Sequence, residues 1–171
     1  MSPSFDAGPM PGVPAPACRK GCAYCCHRFV AVDAAEVAAI ADAIHALEST
    51  PLRQVVVQTV HRNAARSQAS FARPGHQVVA PRCALLGDDE ACLVYGLRPR
   101  ECRRLESPCV QACVSRYITG PGSVRGGRAS PDGLYEMSTA LSEFLTDEAG
   151  CRARLAGGRP AFRHALAFAG G

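Results

Sequence analysis

Four cysteines fall within nine residues, Cys18-Arg19-Lys20-Gly21-Cys22-Ala23-Tyr24-Cys25-Cys26, and a second group follows downstream at Cys83, Cys92, Cys102, Cys109 and Cys113. Thiolates are the natural ligands of zinc and of iron–sulfur clusters, and a centre needs several of them close to one ion, about 2.3 Å from it in the case of zinc. Short turns with two or three residues between cysteines bring sulfurs to one side of a loop, and Cys18, Cys22 and Cys25 are spaced in that way. The adjacent pair Cys25–Cys26 reads differently. Neighbouring side chains diverge, by about 100° on a helix or to opposite faces of a strand. One of the two is therefore expected to turn to a second centre, to bridge two centres, or to pack as structure. With Cys83, Cys92, Cys102 and Cys113 added, eight sulfurs are in hand: enough for two four-thiolate centres, or for one centre with thiols to spare.

A four-thiolate zinc or an oxidised cubane cluster carries about −2 overall, so nearby cations stabilise it. Arg19, Lys20, Arg28, Arg98, Arg100, Arg103 and Arg104 flank the cysteines. Of these, Arg98 and Arg103 are the strongest candidates for counter-charge, against the plainer reading of solvated surface arginines. His27 adjoins the pair and could replace a sulfur on zinc, although a supporting or surface position suits it better. His45, His61, His76 and His164 read as structural or exposed. Cys109 is a spare ligand candidate, and Cys151, alone near the C-terminal end, reads as a buried free thiol.

The elements that must position these groups are helical. Asp33 and Glu36 make a capping-box pattern for a helix over 33–48, with Val37, Ile40, Ile44 and Leu47 on one apolar face. Thr50–Pro51 reads as cap and first position of a second helix, which buries Leu52, Val55, Val56, Val60, Ala64 and Phe71 and shows Arg53, His61, Arg62 and Arg66 on its other side. Together they make an antiparallel helical hairpin. Residues 83–95, with Gly87-Asp88-Asp89-Glu90 at the tip, predict a short β-hairpin. Pro99 opens a short helix to about Leu105, residues 109–118 add a helical turn, and 120–128 form a mobile loop. Ser130–Pro131 starts a helix that buries Leu134, Met137, Leu141, Phe144 and Leu145, and a final weak helix spans 160–168. The expected fold class is mainly α: a small helical domain with a short β-hairpin, organised around one or two cysteine metal centres. Residues 1–17 form a Pro/Gly-rich tail, 18–118 the cysteine-cluster domain, and 119–171 a helical extension packed on the same domain.

Bulk composition fits one domain of 171 residues, with 47% hydrophobic residues and a net charge of +4. Lys20 is the sole lysine among nineteen basic residues. Together with the many Ala, Gly and Pro, this suggests a GC-rich bacterial genome. The arginines are scattered and aromatics make up 6%, which argues against a nucleic-acid partner. No apolar run is long enough to span a membrane. The first seventeen residues hold five prolines and neither a basic nor an apolar signal region. The expected compartment is the cytoplasm, where thiols stay reduced and clustered cysteines mean metal or redox chemistry rather than disulfides.

Ala91-Cys92-Leu93-Val94-Tyr95-Gly96-Leu97-Arg98-Pro99-Arg100-Glu101-Cys102-Arg103, taken with Cys18, Cys22, Cys25–Cys26 and Cys83, resembles the YkgJ-type family of cysteine-cluster proteins, described as zinc- or iron-chelating domains. The stretch is similar to the family's C-x-I-Y-x-x-R-P-x-x-C-R signature, with Val94 in place of Ile, and Cys113, followed by Arg116, is similar to the family's last cysteine. The resemblance covers about residues 18–118. It implies eight functional thiols, Cys18, Cys22, Cys25, Cys26, Cys83, Cys92, Cys102 and Cys113, with zinc or an iron–sulfur cluster as the bound group. Members are often labelled iron–sulfur oxidoreductases, and some relatives are linked to flagellin lysine methylation. Here no Gly-rich strand–turn–helix supports a nucleotide-like methyl donor, and no Ser/His/Asp set or paired carboxylates form a catalytic site. Three readings follow: a metal-binding protein with a structural centre, an iron–sulfur electron-transfer enzyme, and a metal-stabilised module for a protein partner.

Overall fold

The structure, a computed structural model, describes residues 21–73, 80–104, 109, 111, 113–114, 126–127 and 133–168. The expected N-terminal tail, Pro74–Gly75, His76, Ser130–Pro131 and most of the 120–128 loop lie outside the described residues. Helices dominate: α1 (Ala34–His45), α2 (Thr50–Phe71), α3 (Arg100–Arg104), α4 (Met137–Thr146) and α5 (Glu148–Ala156). Gln111, Cys113 and Val114 are also helical. Four two-residue strands, β1 (Ala31–Val32), β2 (Gly126–Gly127), β3 (Tyr135–Glu136) and β4 (Ala167–Phe168), form one antiparallel sheet in the order β1-β3-β4-β2. Ala31 pairs with Glu136 and Tyr135 with Ala167, so the sheet ties the first cysteine segment to the C-terminal part of the chain.

The start of α1 follows the local code. The Asp33 carboxylate accepts from the Glu36 backbone N–H at 2.8 Å, and the Glu36 carboxylate accepts from the Asp33 N–H at 3.1 Å. The other Glu36 oxygen accepts from the Arg100 backbone N–H at 2.7 Å, and the Arg100 guanidinium reaches Asp33 at 2.7 Å. One capping box therefore serves two helix starts and clamps α3, which carries Cys102, onto α1.

Several expectations need correction. Ser49, not Thr50, caps α2: its hydroxyl accepts from the Leu52 N–H, and Pro51 follows in the first turn. Leu52 and Val55 are not buried but 37% and 59% exposed, while Val56, Val60 and Ala64 are buried together with the polar Asn63 and Ser67. The principal partner of α2 is α4 rather than α1, so the covered stripe lies rotated from the one the apolar residues alone suggest. Residues 160–166 are not helical. The Glu143 carboxylate accepts from the backbone N–H groups of Arg163, His164 and Ala165 at 2.6, 2.7 and 2.9 Å, and the Thr139 hydroxyl accepts from Leu166 at 3.0 Å. Backbone donors held in this way are lost to a helical ladder.

The helix expected after Ser130–Pro131 begins at Met137, with Glu136 as its cap. The buried Glu136 carboxylate accepts from the Ser138 and Thr139 N–H groups, and burial pushes its pKa up. Asp147 then ends α4 and caps α5, a boundary that periodicity alone does not reveal. A single core joins Val37, Ile40 and Ile44 of α1, Val60 of α2, and Leu141 and Phe144 of α4. Full burial of each large apolar side chain contributes about 1.5–3 kcal/mol. Half-buried Cys83, Cys92 and Cys102 pack against this core's edge.

Candidate metal centre

Gly21 opens the first cysteine segment at φ +91°, a conformation open to glycine at little cost. A 3₁₀ turn follows over Tyr24–His27 and presents Cys25 and Cys26. The second segment joins it directly: the Cys83 backbone N–H donates to the Cys26 carbonyl at 2.8 Å. Residues 85–93 form the expected hairpin, closed by the Leu86–Cys92 bridge and by Leu93 N–H to Leu85 O at 2.8 Å. At its tip the Gly87 N–H donates to the Ala91 carbonyl at 2.9 Å, and Glu90 takes a positive φ of 57°. These contacts bring Cys83 and Cys92 beside the first segment.

Two residues that the sequence reading passed over hold this arrangement. The Asn63 amide, on the buried face of α2, donates to the Arg82 carbonyl at 2.8 Å. The Arg82 guanidinium in turn donates to the Leu86 and Gly87 carbonyls at 2.9 and 2.8 Å. Together they pin the chain on both sides of Cys83. The available signal was an asparagine on an otherwise apolar helical stripe.

Seven of the eight expected ligands, Cys22, Cys25, Cys26, Cys83, Cys92, Cys102 and Cys113, line one cavity of about 50 Å³. That is room for a few water-sized groups. Cys18 lies outside the described residues. Cys109 is exposed and Cys151 is buried elsewhere, and neither lines the cavity. None of the nine described cysteines forms a disulfide. The remaining walls are largely apolar, from Val30, Leu85, Val94, Pro99 and Met137, with Arg98 as the cation among them. Arg98 is held in place by stacking 3.9 Å above the Tyr95 ring and by donating from Nε to the Tyr95 carbonyl at 3.2 Å. Arg103 and Arg104 are exposed and His27 is half-buried; none of the three lines the cavity.

The expected divergence of Cys25 and Cys26 does not appear. Both thiols line the same cavity and they hydrogen-bond to each other. A cysteine sulfur swings through about 120° between χ1 rotamers, so the divergence of the Cα–Cβ bonds does not decide where the sulfurs point. The contact splits the pair: the Cys26 hydrogen bond lowers Cys25 to about 6, and the same bond, with burial, pushes Cys26 up. Burial pushes Cys83 up to about 12, and it raises Cys92 and Cys102 as well. Cys26, Cys83, Cys92 and Cys102 are thus held protonated until a cation compensates their charge, while Cys25 ionises readily. The donor set fits that cation: soft sulfurs from distant segments, apolar walls and one fixed guanidinium.

The sulfurs are nevertheless not drawn onto one point. Among the described residues, the set of three ligand-type side chains whose donor atoms all lie within 4.8 Å of one another is Asp42, His45 and Glu148. The Arg152 guanidinium already fills that cluster: its Nε lies 2.8 Å from Glu148, and its Nη2 reaches Asp42. These exposed groups read as an ion-pair network between α1 and α5, screened by solvent. Among the described residues, no helix is long and apolar enough to cross a membrane.

A family model, CxxCxxCC, with the description "Putative zinc- or iron-chelating domain", matches residues 17–119. No curated protein and no solved structure matches the chain.

Proposed function

The chain belongs to the CxxCxxCC family, and from that premise we propose that it binds metal through a polythiolate centre holding more than one ion. Cys22, Cys25, Cys26, Cys83, Cys92, Cys102 and Cys113 are the proposed ligands, with Cys18 as the eighth. The observation that carries the reading is the convergence of seven thiols, from both halves of the domain, on one cavity. Seven donors exceed the four that a single tetrahedral zinc takes.

An iron–sulfur cluster, held by cysteine thiolates, is one such centre. Such a cluster, when bound, supplies one-electron redox chemistry. This chain's residues would exclude water with apolar walls and offset the cluster's charge with Arg98. A zinc centre would hold the two cysteine segments together without redox chemistry.

Anaerobic purification, followed by an absorption spectrum, elemental analysis and a sulfide assay, tests both readings. Iron with acid-labile sulfide, and colour that a reductant bleaches reversibly, supports electron transfer. About two zinc ions per chain and no colour supports the structural centre. Less than one metal ion of any kind per chain would overturn the proposal.

A further inference from the structure

A second concavity, of about 320 Å³, lies between α2 and the 85–93 hairpin. That is the size range of ligand-binding clefts. Its floor is apolar: Leu52, Val55 and Val56 of α2 face Leu86 and Leu93 of the hairpin. Leu52 and Val55 are two of the large apolar side chains that stay exposed, at 37% and 59%. Its rim is cationic. Arg62 and Arg66 stand one helical turn apart, both exposed, and among the described residues neither guanidinium has an ion-pair or hydrogen-bond partner. Arg82 is committed to the Leu86 and Gly87 carbonyls and to Glu90, and Asp88 is the acidic group in the lining. The unspent charge is therefore positive and sits at the C-terminal end of the helix face, whereas the exposed apolar groups sit at its N-terminal end.

The length of this face narrows the occupant. From Leu52 to Arg66 the helix rises about 21 Å at ~1.5 Å per residue. A compact small molecule does not span that distance, and a chain in extended conformation covers it with about six residues at ~3.3 Å each. Two free cations without an aromatic platform are too few to hold nucleic acid. We propose that the groove binds a short extended peptide segment of a partner protein, with apolar side chains against Leu52 and Val55 and carboxylates against Arg62 and Arg66. Cys83 lines both this groove and the thiol cavity, so the peptide would lie against the outer wall of the centre. The groove itself is built by α2 and the hairpin and does not depend on which metal is bound.

The test uses the full chain as purified and a fluorescein-labelled hexapeptide with leucines at one end and glutamates at the other, in both chain directions, read by fluorescence anisotropy at low salt. One direction is expected to bind saturably. Reversing charge in an Arg62→Glu/Arg66→Glu variant should weaken it at least about tenfold, and Val55→Ser should weaken it severalfold. Arg159→Glu, an exposed position away from the groove, should leave it unchanged. All four substitutions are at exposed positions, and circular dichroism verifies that the helices persist. Three results would overturn the proposal: no saturable binding in either direction, equal affinity in the charge-reversed variant, or a concentration-dependent dimer that the charge-reversed variant dissolves, which would assign the groove to a second copy of the chain.

Discussion

Cys151 and the cavity thiols are the same side chain in two opposite settings. Cys151 is 0% exposed on α5, and the Arg154 guanidinium donates to its sulfur at 3.1 Å. That guanidinium also donates to the Ala161 carbonyl at 2.8 Å and pairs with Asp147 and Glu143. Every polar group around Cys151 is matched, and nothing in its surroundings calls for an ion. The cavity thiols face one another across a void with apolar walls. Their mutual contact leaves Cys25 and Cys26 sharing one proton unequally, and burial keeps Cys83 and Cys92 protonated. The difference teaches that burial alone does not mark a ligand. What marks it is a set of soft donors from separate segments gathered around one cavity.

The comparison breaks most visibly by substitution in the cavity. Cys22→Ser and Cys92→Ser are each expected to lose most of the bound metal and several kcal/mol of stability, because binding free energy is folding free energy in such sites. Elemental analysis and thermal unfolding measure the two losses. Acid should act on the same groups. Thiols whose pKa burial has raised, Cys83 and Cys92 among them, carry protons at neutral pH and must release them on binding. Metal affinity is therefore expected to rise with pH, about tenfold per unit for each proton released, and to fall as pH is lowered. Competition with a chelator of known protonation across pH 6–8 reads this slope, a window that lies below the raised pKa of Cys83 and above that of Cys25.

Asn63→Ala separates scaffold from ligand. It leaves the Arg82 carbonyl without its buried donor, an expected cost of about 1–3 kcal/mol in denaturant unfolding, with the metal retained. Cys151→Ser gives the smallest effect. The hydroxyl still accepts from Arg154, and the cost is expected to be about 1 kcal/mol with metal content unchanged. Metal loss in Cys151→Ser would erase the distinction between the two settings.

Features written by residues close in the chain were legible in the sequence. The Asp33–Glu36 capping box, the hairpin tip at 87–90 and the burial of Cys151 all follow from local chemistry or from one side chain's preference. The cysteine clusters, with the family resemblance, named eight thiols, of which seven line the cavity and Cys18 lies outside the described residues. What was not legible depends on distant partners. Leu52 and Val55 fall on an apolar stripe, but α4 covers a face rotated away from them. Residues 160–166 pass for a weak helix until Glu143 takes their backbone donors. The common direction of Cys25 and Cys26 depends on rotamers set by the cavity around them. Asn63 and Arg82 carry no motif, since their role is to hold a loop whose position only the fold defines.

The central claim is that one cavity gathers thiols from both halves of the domain around a multi-ion centre. The metal-to-protein ratio of anaerobically purified chain, measured beside Cys22→Ser and Cys92→Ser, tests it most directly. The account predicts more than one zinc or iron per parent chain and a sharp fall in both variants, one from each half. Equal metal content in all three proteins, or none in the parent, would contradict it.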